Sequence, residues 1–325
     1  MALSVDAVVH LASVSKTWLN RLQPTSTDTS SSKKSRHSFF ADLIVVEQQD
    51  GSLKCSDFIA RFSKKQSKRL ARGKVGILAK INGYLVDWKL QIDKDGYITF
   101  DGRPGPSQEE LQSLHLTRTV NEISLGTSIR NYIVRGYIFK YNHDAKIFIS
   151  DFDGTITKGD ISGFILPNLG FKWCYTHVID TLRNLEEKGY QIFYLSSRSV
   201  HLISGTRRYL NNIEAPMGPI MLQQHSFLRC VRFELEKQAL FYKISRLLDL
   251  SKLFNNNPFA GGVGNKESDR YAYQVVGVPE DHIALVDEDF ECFHNMNVLD
   301  LSKMEIEDSV DLCMEDVIDL EFYNE

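Results

Sequence analysis

Apolar residues fall into two regimes along the chain, and the border between them lies near residue 147. Ile147, Phe148 and Ile149 form an unbroken apolar run that stops at two carboxylates, Asp151 and Asp153. Such a run predicts a strand buried on both faces, as in the middle of a parallel sheet. Downstream the pattern alternates between helical and strand periods. A helix is expected around 174–188, a strand at 190–195, a helix at 200–212 and a strand at 218–222. A long helix near 226–250, a strand at 258–263, a helix at 266–275 and a strand at 282–286 follow. This alternation predicts an α/β fold with a doubly wound parallel sheet.

Upstream the elements are short and strand-like: Ala41–Glu47, Leu53–Phe62, Val75–Ile81, Tyr84–Ile92 and Tyr97–Phe100. Asp50-Gly51, Asn82-Gly83 and Asp95-Gly96 punctuate them as turns, so the first hundred residues read as all-β. Arg103-Pro104-Gly105-Pro106 marks a break, after which Ser128–Val134 and Gly136–Tyr141 read as two further strands. Val8, Leu11, Val14, Trp18 and Leu22 recur at helical spacing, which predicts an amphipathic helix over residues 5–22. That stripe suits either docking on a core or a membrane surface. Ile306, Val310, Cys313, Val317 and Leu320 suggest another amphipathic helix in the acidic tail.

With 325 residues, 42% hydrophobic and 25% charged, the chain can bury one large core or two. A net charge of −4 gives no reason to expect nucleic acid. Five scattered cysteines (Cys55, Cys174, Cys230, Cys292, Cys313) lack metal-ligand spacing and read as reduced thiols. No apolar run reaches membrane-span length, and the N-terminus lacks a basic leader, so a soluble or peripheral protein is expected. Charge is segregated: Lys64, Lys65, Lys68, Arg69, Arg72 and Lys74 form a basic stretch read as a loop, solvated or meeting anionic lipid. Residues 280–325 carry sixteen acids against Lys303 alone.

The candidate chemistry sits where the two regimes meet. Residues two apart on an extended chain point the same way, so Asp151 and Asp153 can face one crevice at a strand's carboxyl end. Gly154 frees the backbone to turn beneath them. Two carboxylates so close repel unless a cation or proton lies between them, which predicts a divalent metal, Mg²⁺.

Asp151-Phe-Asp-Gly-Thr155 after a hydrophobic strand resembles the first motif of the haloacid dehalogenase superfamily, mostly phosphotransferases. The resemblance implies that Asp151 is the nucleophile and Asp153 the general acid/base. It also implies a phosphate-binding Ser196 after the strand Gln191–Leu195, a bridging Lys243 on the long helix, and a metal-binding Gly264-Asn265-x-x-x-Asp269 turn. The implied metal set is Asp151, Asp153, Asn265 and Asp269, with the main-chain carbonyl of Phe152 or Asp153 contributing and Asp269 either ligating or orienting. Gly154, Thr155, Ser197 and Arg198 would contact substrate. Because the intervals 156–195 and 199–242 are filled by elements of the sheet, no cap domain is expected, and an uncapped site admits a large substrate.

The match narrows further. Asp151 through Asp160, Gly163-Phe-Ile-Leu-Pro167, Pro216 through Leu222, Gly264-Asn265 and Tyr271 through Pro279 resemble the lipin family. In the N-terminal part, Asp42–Glu47, Gly51–Ser56, Arg61-Phe62 and Ile81-Asn-Gly83 do likewise. Lipins are Mg²⁺-dependent phosphatidate phosphatases that release diacylglycerol, and this compact form is similar to those of ciliates. Phe152 stands where lipins usually have Ile or Val, and the lipin coactivator motif would begin at Ser162, which does not match it.

The family implies an amphipathic membrane-binding helix (1–22), an N-terminal lipin region (23–102), and a linker with strands that complete an immunoglobulin-like β-sandwich (103–144). A haloacid dehalogenase-like catalytic domain (145–295) and an acidic segment (296–325) follow. The implied partners are phosphatidate-containing membranes and anionic lipid. The implied location is the cytoplasm, peripheral to the endoplasmic reticulum or nuclear membrane. Two alternatives stay open: a non-catalytic phosphatidate-binding module and a protein phosphatase of the same superfamily.

Overall fold

The computed structural model describes residues 38–73, 76–101, 103, 105–114, 116, 119–127, 133–158, 174–224, 237–286 and 293–294. The expected helix over 5–22, the 163–167 match, the first part of the long helix and the acidic tail lie outside the described residues.

The C-terminal half is built on a sheet in the order β12-β11-β10-β13-β14-β15. Its strands are β10 (Ile147–Asp151), β11 (Gln191–Ser199), β12 (Ile220–Gln223), β13 (Phe259–Gly264), β14 (Ile283–Val286) and β15 (Phe293–His294). All neighbours pair in parallel except β14 with β15. As its composition requires, β10 is central and buried along its whole length.

Helices cover both faces of this sheet, since parallel strands need crossovers. On one face Phe148, Ile192 and Leu222 meet Val178, Ile179, Leu182 and Leu185 of α3 (Thr176–Glu187) and Ile203, Tyr209 and Leu210 of α4 (Ile203–Asn212). A 3₁₀ turn at Val200–Leu202 leads into α4. On the other face Ile147, Ile149, Phe193 and Leu195 meet Leu247 and Leu250 of α5 (Lys237–Ser251) and Ala272, Tyr273 and Val276 at or just beyond α6 (Glu267–Val275). Each large apolar side chain sealed this way contributes roughly 1.5–3 kcal/mol against exposure.

The N-terminal half is a seven-stranded sheet in the order β3-β2-β9-β8-β5-β6-β7. These are β2 (Leu43–Glu47), β3 (Leu53–Cys55), β5 (Ile77–Ile81), β6 (Tyr84–Ile92), β7 (Ile98–Phe100), β8 (Val120–Thr127) and β9 (Ile133–Asn142). A separate pair, β1 (Phe39–Phe40) with β4 (Ala60–Arg61), lies beside it, and an Arg61–Tyr97 bridge ties that pair to the lead-in of β7. The apolar face of the sheet encloses Trp88, Phe100, Ile123, Leu125 and Ile138 with Phe40, Phe58 and Phe62. β2 and β9 run parallel, and Ile44, Val46, Phe139 and Tyr141 on their other face join the core under α5 and α6.

Three upstream expectations change. The basic stretch is a helix, α1 (Lys64–Gly73), not a loop, so the first hundred residues are not all-β. It is anchored by buried Ser67 and Leu70, three positions apart on one face, while Lys64, Lys65, Lys68 and Arg69 stay exposed. The expected strand Leu53–Phe62 is two short strands. It breaks at Ser56, whose Oγ accepts from the main-chain N–H of Ile44 while its own N–H donates to the Ile44 carbonyl. Of the strand placed at Ser128–Val134, residues 128–132 lie outside the described residues, and Ile133 and Val134 belong to β9, which also takes in the expected Gly136–Tyr141; β8 (Val120–Thr127) is an additional strand.

A short helix α2 (Gln108–Gln112) follows the Pro/Gly break, and Ser107 and Glu110 form a capping box at its start. Asp42 locks the N-terminal half to the parallel sheet. Its buried carboxylate binds Arg207 of α4 and accepts from the main-chain N–H of Ile220 at 2.8 Å.

Candidate active site

Asp151 closes β10 and Asp153 stands two residues beyond, at the carboxyl edge of the sheet. The chain then turns through Gly154 with φ at +79°, a conformation that costs glycine little. A Cβ at Gly154 would run into the side-chain amide of Asn265, so the missing side chain lets Asn265 lie against the carboxylate turn. Thr155 and Thr157 fasten the turn. Thr155 Oγ1 donates to Asp151 Oδ2 at 3.1 Å, and Thr157 Oγ1 accepts from the N–H of Gly154 at 3.2 Å. Both threonines are fully buried.

Two charge clusters meet here. In the first, Lys243 projects from α5 with Nζ 2.6 Å from Asp151 Oδ1 and 2.5 Å from Asp269 Oδ1. All three groups are buried. The second oxygen of Asp269 accepts from the main-chain N–H groups of Asn265 (3.2 Å) and Lys266 (3.1 Å), which ties down the turn after β13. One ammonium cannot neutralise two buried carboxylates. Burial above all, then repulsion from Asp269 and Asp153, pushes Asp151 up to about 7 against the attraction of Lys243. The two carboxylates hold the Lys243 ammonium firmly charged, raising its pKa despite burial.

In the second cluster, Asp153 is gripped by Ser196 and Arg198 from the end of β11. Ser196 Oγ donates to Asp153 Oδ2 at 2.9 Å, and Arg198 Nε reaches both oxygens at 2.8 and 2.7 Å, with Nη2 completing the fork. The guanidinium lies over the Phe152 ring, 4.7 Å from its centroid. A bidentate, stacked Arg of this kind fixes a carboxylate in direction as well as in charge.

The residues expected from sequence at 151, 153, 154, 155, 196, 198, 243, 265 and 269 thus converge on one edge of the sheet, and Ser197 sits half-buried between Ser196 and Arg198. The membrane-binding stripe Val8, Leu11, Val14, Trp18 and Leu22 lies outside the described residues. Sequence reading missed the grip of Arg198 on Asp153, which spans 45 positions, and the role of Thr157, which only its spacing from Thr155 signals.

The donors present suit a hard divalent cation. Negative charge is in excess at Asp151, and the side-chain oxygen of Asn265 accepts no hydrogen bond among the described residues. The carbonyl of Phe152 is occupied by the N–H groups of Ile156 and Thr157, whereas that of Asp153 accepts nothing among the described residues. Those residues hold no group of three or more His, Cys, Asp or Glu side chains arranged around a common point, so the set is mixed: carboxylate, amide and main chain. No described helix is long and apolar enough to cross a membrane, and among the described residues Cys55 is a free thiol.

Two sequence families match the chain: LNS2 (Lipin/Ned1/Smp2) over residues 103–314, and the lipin N-terminal conserved region over residues 25–118. Phosphatidate phosphatase PAH1 of Arabidopsis thaliana is 33% identical over 192 residues, covering 56% of this chain and 21% of its own. Phosphatidate phosphatase LPIN1 of Homo sapiens is 34% identical over 191 residues, covering 55% and 22%. Phosphatidic acid phosphohydrolase 1 of Saccharomyces cerevisiae is 30% identical over 214 residues, covering 60% and 25%. The matched segment therefore spans about a fifth to a quarter of the length of these relatives.

Proposed function

The chain belongs to the lipin family, and from that premise we propose that it is a Mg²⁺-dependent phosphatidate phosphatase acting at a membrane surface. The observation that carries the reading is Asp151: a buried carboxylate at the end of the central parallel strand, held by Lys243 and oriented by Thr155. We read the parallel sheet as haloacid dehalogenase-like and doubly wound, and the N-terminal strands as an immunoglobulin-like sandwich completed by β8 and β9. The domain limits follow that division.

In the proposed reaction an Asp151 oxygen attacks phosphorus, the bond to the glycerol oxygen breaks, and an aspartyl-phosphate forms. Asp153 protonates the departing alkoxide and then takes a proton from the water that frees phosphate. Lys243, Ser196 and Arg198 offset charge on the phosphoryl oxygens, the main source of stabilisation in such transfers. To serve as acid, Asp153 must leave the fork of Arg198, and an incoming phosphate dianion is a competing partner for that guanidinium. Mg²⁺ would be held by Asp151, the carbonyl of Asp153 and Asn265, and would supply charge compensation between nucleophile and phosphate dianion. Asp269, with both oxygens bound to protein donors, is assigned to orienting Asn265 and Lys243 rather than to ligating.

Residues 1–22 are assigned as the membrane-binding helix. The cytoplasmic face of the endoplasmic reticulum or nuclear membrane is the proposed location. A non-catalytic phosphatidate-binding module does not need a nucleophile, so Asp151 weighs against that alternative. Phosphate release from phosphatidate in mixed micelles, with and without Mg²⁺, tests the reading. Turnover should depend on the metal, and no release under either condition refutes the assignment. Removing residues 1–22 should abolish turnover on liposomes and spare a small soluble phosphate ester. Loss of both activities together with a lower melting temperature would place that segment in the core.

A further inference from the structure

A second polar cavity, about 540 Å³, opens between the outer face of the seven-stranded sheet and α4. It is separate from the carboxylates of the active site. Its sheet wall is a cross-strand row: Lys80 pairs with Ser124, and Ser124 pairs with Arg135. These three side chains therefore share one face. Tyr137 lies two residues along β9, and Ser204 and Arg207 of α4 form the opposite wall. Among the described residues neither Lys80 nor Arg135 makes an ion pair. Of the two acids at the cavity, Asp42 is consumed by Arg207, which leaves Glu122 against two unpaired cations. Arg207 is buried, and its Nε has no acceptor among the described residues. The walls thus offer hydroxyls, two free cations and an unused N–H donor, the groups that bind a phosphate.

The same sheet face carries apolar side chains beside the cations. Leu85 pairs with Lys80, while Leu78 and Ile133 lie two positions from Lys80 and Arg135 and flank Gly126 in the adjacent row. They are 64%, 42% and 51% exposed, the outward counterparts of the inward Ile77, Ala79 and Val134. Exposed aliphatic side chains set against unpaired cations complement an anionic lipid surface better than a free anion, which gives them nothing to touch. The cavity is also near the chemistry. Ser204 is six residues after Arg198, so the chain between them spans at most about 20 Å.

We propose that this face docks on anionic membranes and seats the phosphate of a phospholipid headgroup between Lys80, Arg135 and Arg207, at a site distinct from the catalytic one. The choice of a lipid over free phosphate rests on the membrane reading above and on the exposed aliphatic row.

Vesicles of phosphatidylcholine with and without phosphatidylserine test it, because neither lipid carries the phosphomonoester that the catalytic site would cleave. Full-length protein should sediment with the anionic vesicles. Lys80→Gln with Arg135→Gln should weaken that partitioning about 30-fold, each surface charge contributing about a factor of five. Leu78→Asn with Ile133→Asn should weaken it as well. Melting temperature and hydrolysis of a soluble phosphate ester should be unchanged in both variants, since all four side chains are exposed. Partitioning of the charge variant within twofold of wild type would overturn the proposal. So would inorganic phosphate that binds through Lys80 and Arg135 while the wild type does not partition onto anionic vesicles, which would make the cavity a free-phosphate pocket. A wild type that binds these vesicles through Lys80 and Arg135 but never cleaves phosphatidate would sink the phosphatase reading and leave the lipid site standing.

Discussion

Replacing Lys243 with methionine keeps the length and most of the volume of the side chain but removes the one ammonium between Asp151 and Asp269. Nζ is 2.6 and 2.5 Å from those carboxylates, and both are buried. Removing one partner from a buried ion pair typically costs about 3–5 kcal/mol. The stranded carboxylate can escape by taking a proton, which sets an upper bound: holding a carboxyl neutral at pH 7, about three units above its ordinary pKa, costs at most about 4 kcal/mol. Asp151, pushed up to about 7 with Lys243 in place, already bears part of that cost.

At about 2–4 °C per kcal/mol, the melting temperature at pH 7 should fall by about 6–20 °C. The sign of the pH dependence follows from the same state. A carboxyl raised in the folded protein contributes stability that is present below its unfolded pKa and lost as pH rises through the folded one. The gap between wild type and Lys243→Met should therefore shrink as pH falls from 7 toward 4.5. Circular dichroism melts across that range, with phosphate release measured beside them, are the assay. Adding Asp269→Asn should recover part of the stability and none of the activity. A single variant that melts within 2 °C of wild type at pH 7 would refute the arrangement of Lys243 between the two acids.

Four further outcomes are expected. Asp151→Asn, which keeps shape but removes the attacking charge, should lower phosphate release by several orders of magnitude at an unchanged circular dichroism spectrum; activity within tenfold of wild type would rule out covalent catalysis. Gly154→Ala combines a positive φ with a collision against Asn265, so it should cost about 1–3 kcal/mol in a denaturant titration and displace Asn265 enough to weaken metal-dependent activity. Residues 1–102 alone should fail to give a cooperative thermal transition, because β8 and β9, which join β2 to β5, are missing. Burial and Asp57 push the Cys55 thiol up to about 11, so iodoacetamide labelling followed by mass spectrometry should be slow at pH 8 and accelerate as pH rises toward that value.

Where one face or both faces of an element are uniformly apolar, the sequence was readable. The strand at Ile147–Asp151, its neighbours at Gln191 and Phe259, and helices α3 and α6 emerge within a few residues of their expected limits. β8 was not legible, because its inward set begins with a polar residue. Asn121 is fully buried, bonded to the carbonyl of Ile138 and the side chain of Asn82, and it breaks the alternation that Ile123 and Leu125 continue. Helix α1 was hidden for the opposite reason: Ser67 and Leu70 are too few to give a lysine-rich segment a visible period. In the site, the placement of Asp151, Asp153, Ser196, Lys243, Asn265 and Asp269 at one sheet edge follows from strand ends and motif positions, whereas the fastening of the turn by Thr157 does not. Nor does the partition into Asp151–Lys243–Asp269 and Asp153–Ser196–Arg198, since it depends on how α5 and β11 approach across the sheet edge.

The central place of β8 and β9 in the seven-stranded sheet bears on how the protein is made. β2 and β5 leave the ribosome early, yet β5 gains its inner neighbour β8 only after Thr127 and β2 gains β9 only after Asn142. At about 5–20 residues per second, the stretch from residue 102 to 142 takes about 2–8 s to translate. For the first part of that interval β5, and for all of it β2, presents an unpaired edge, the condition under which chains associate wrongly with one another. Expression yield should therefore respond to chaperone supply and to slow codons between residues 102 and 142 more than to changes within the parallel sheet, whose strands are made after that gap has closed.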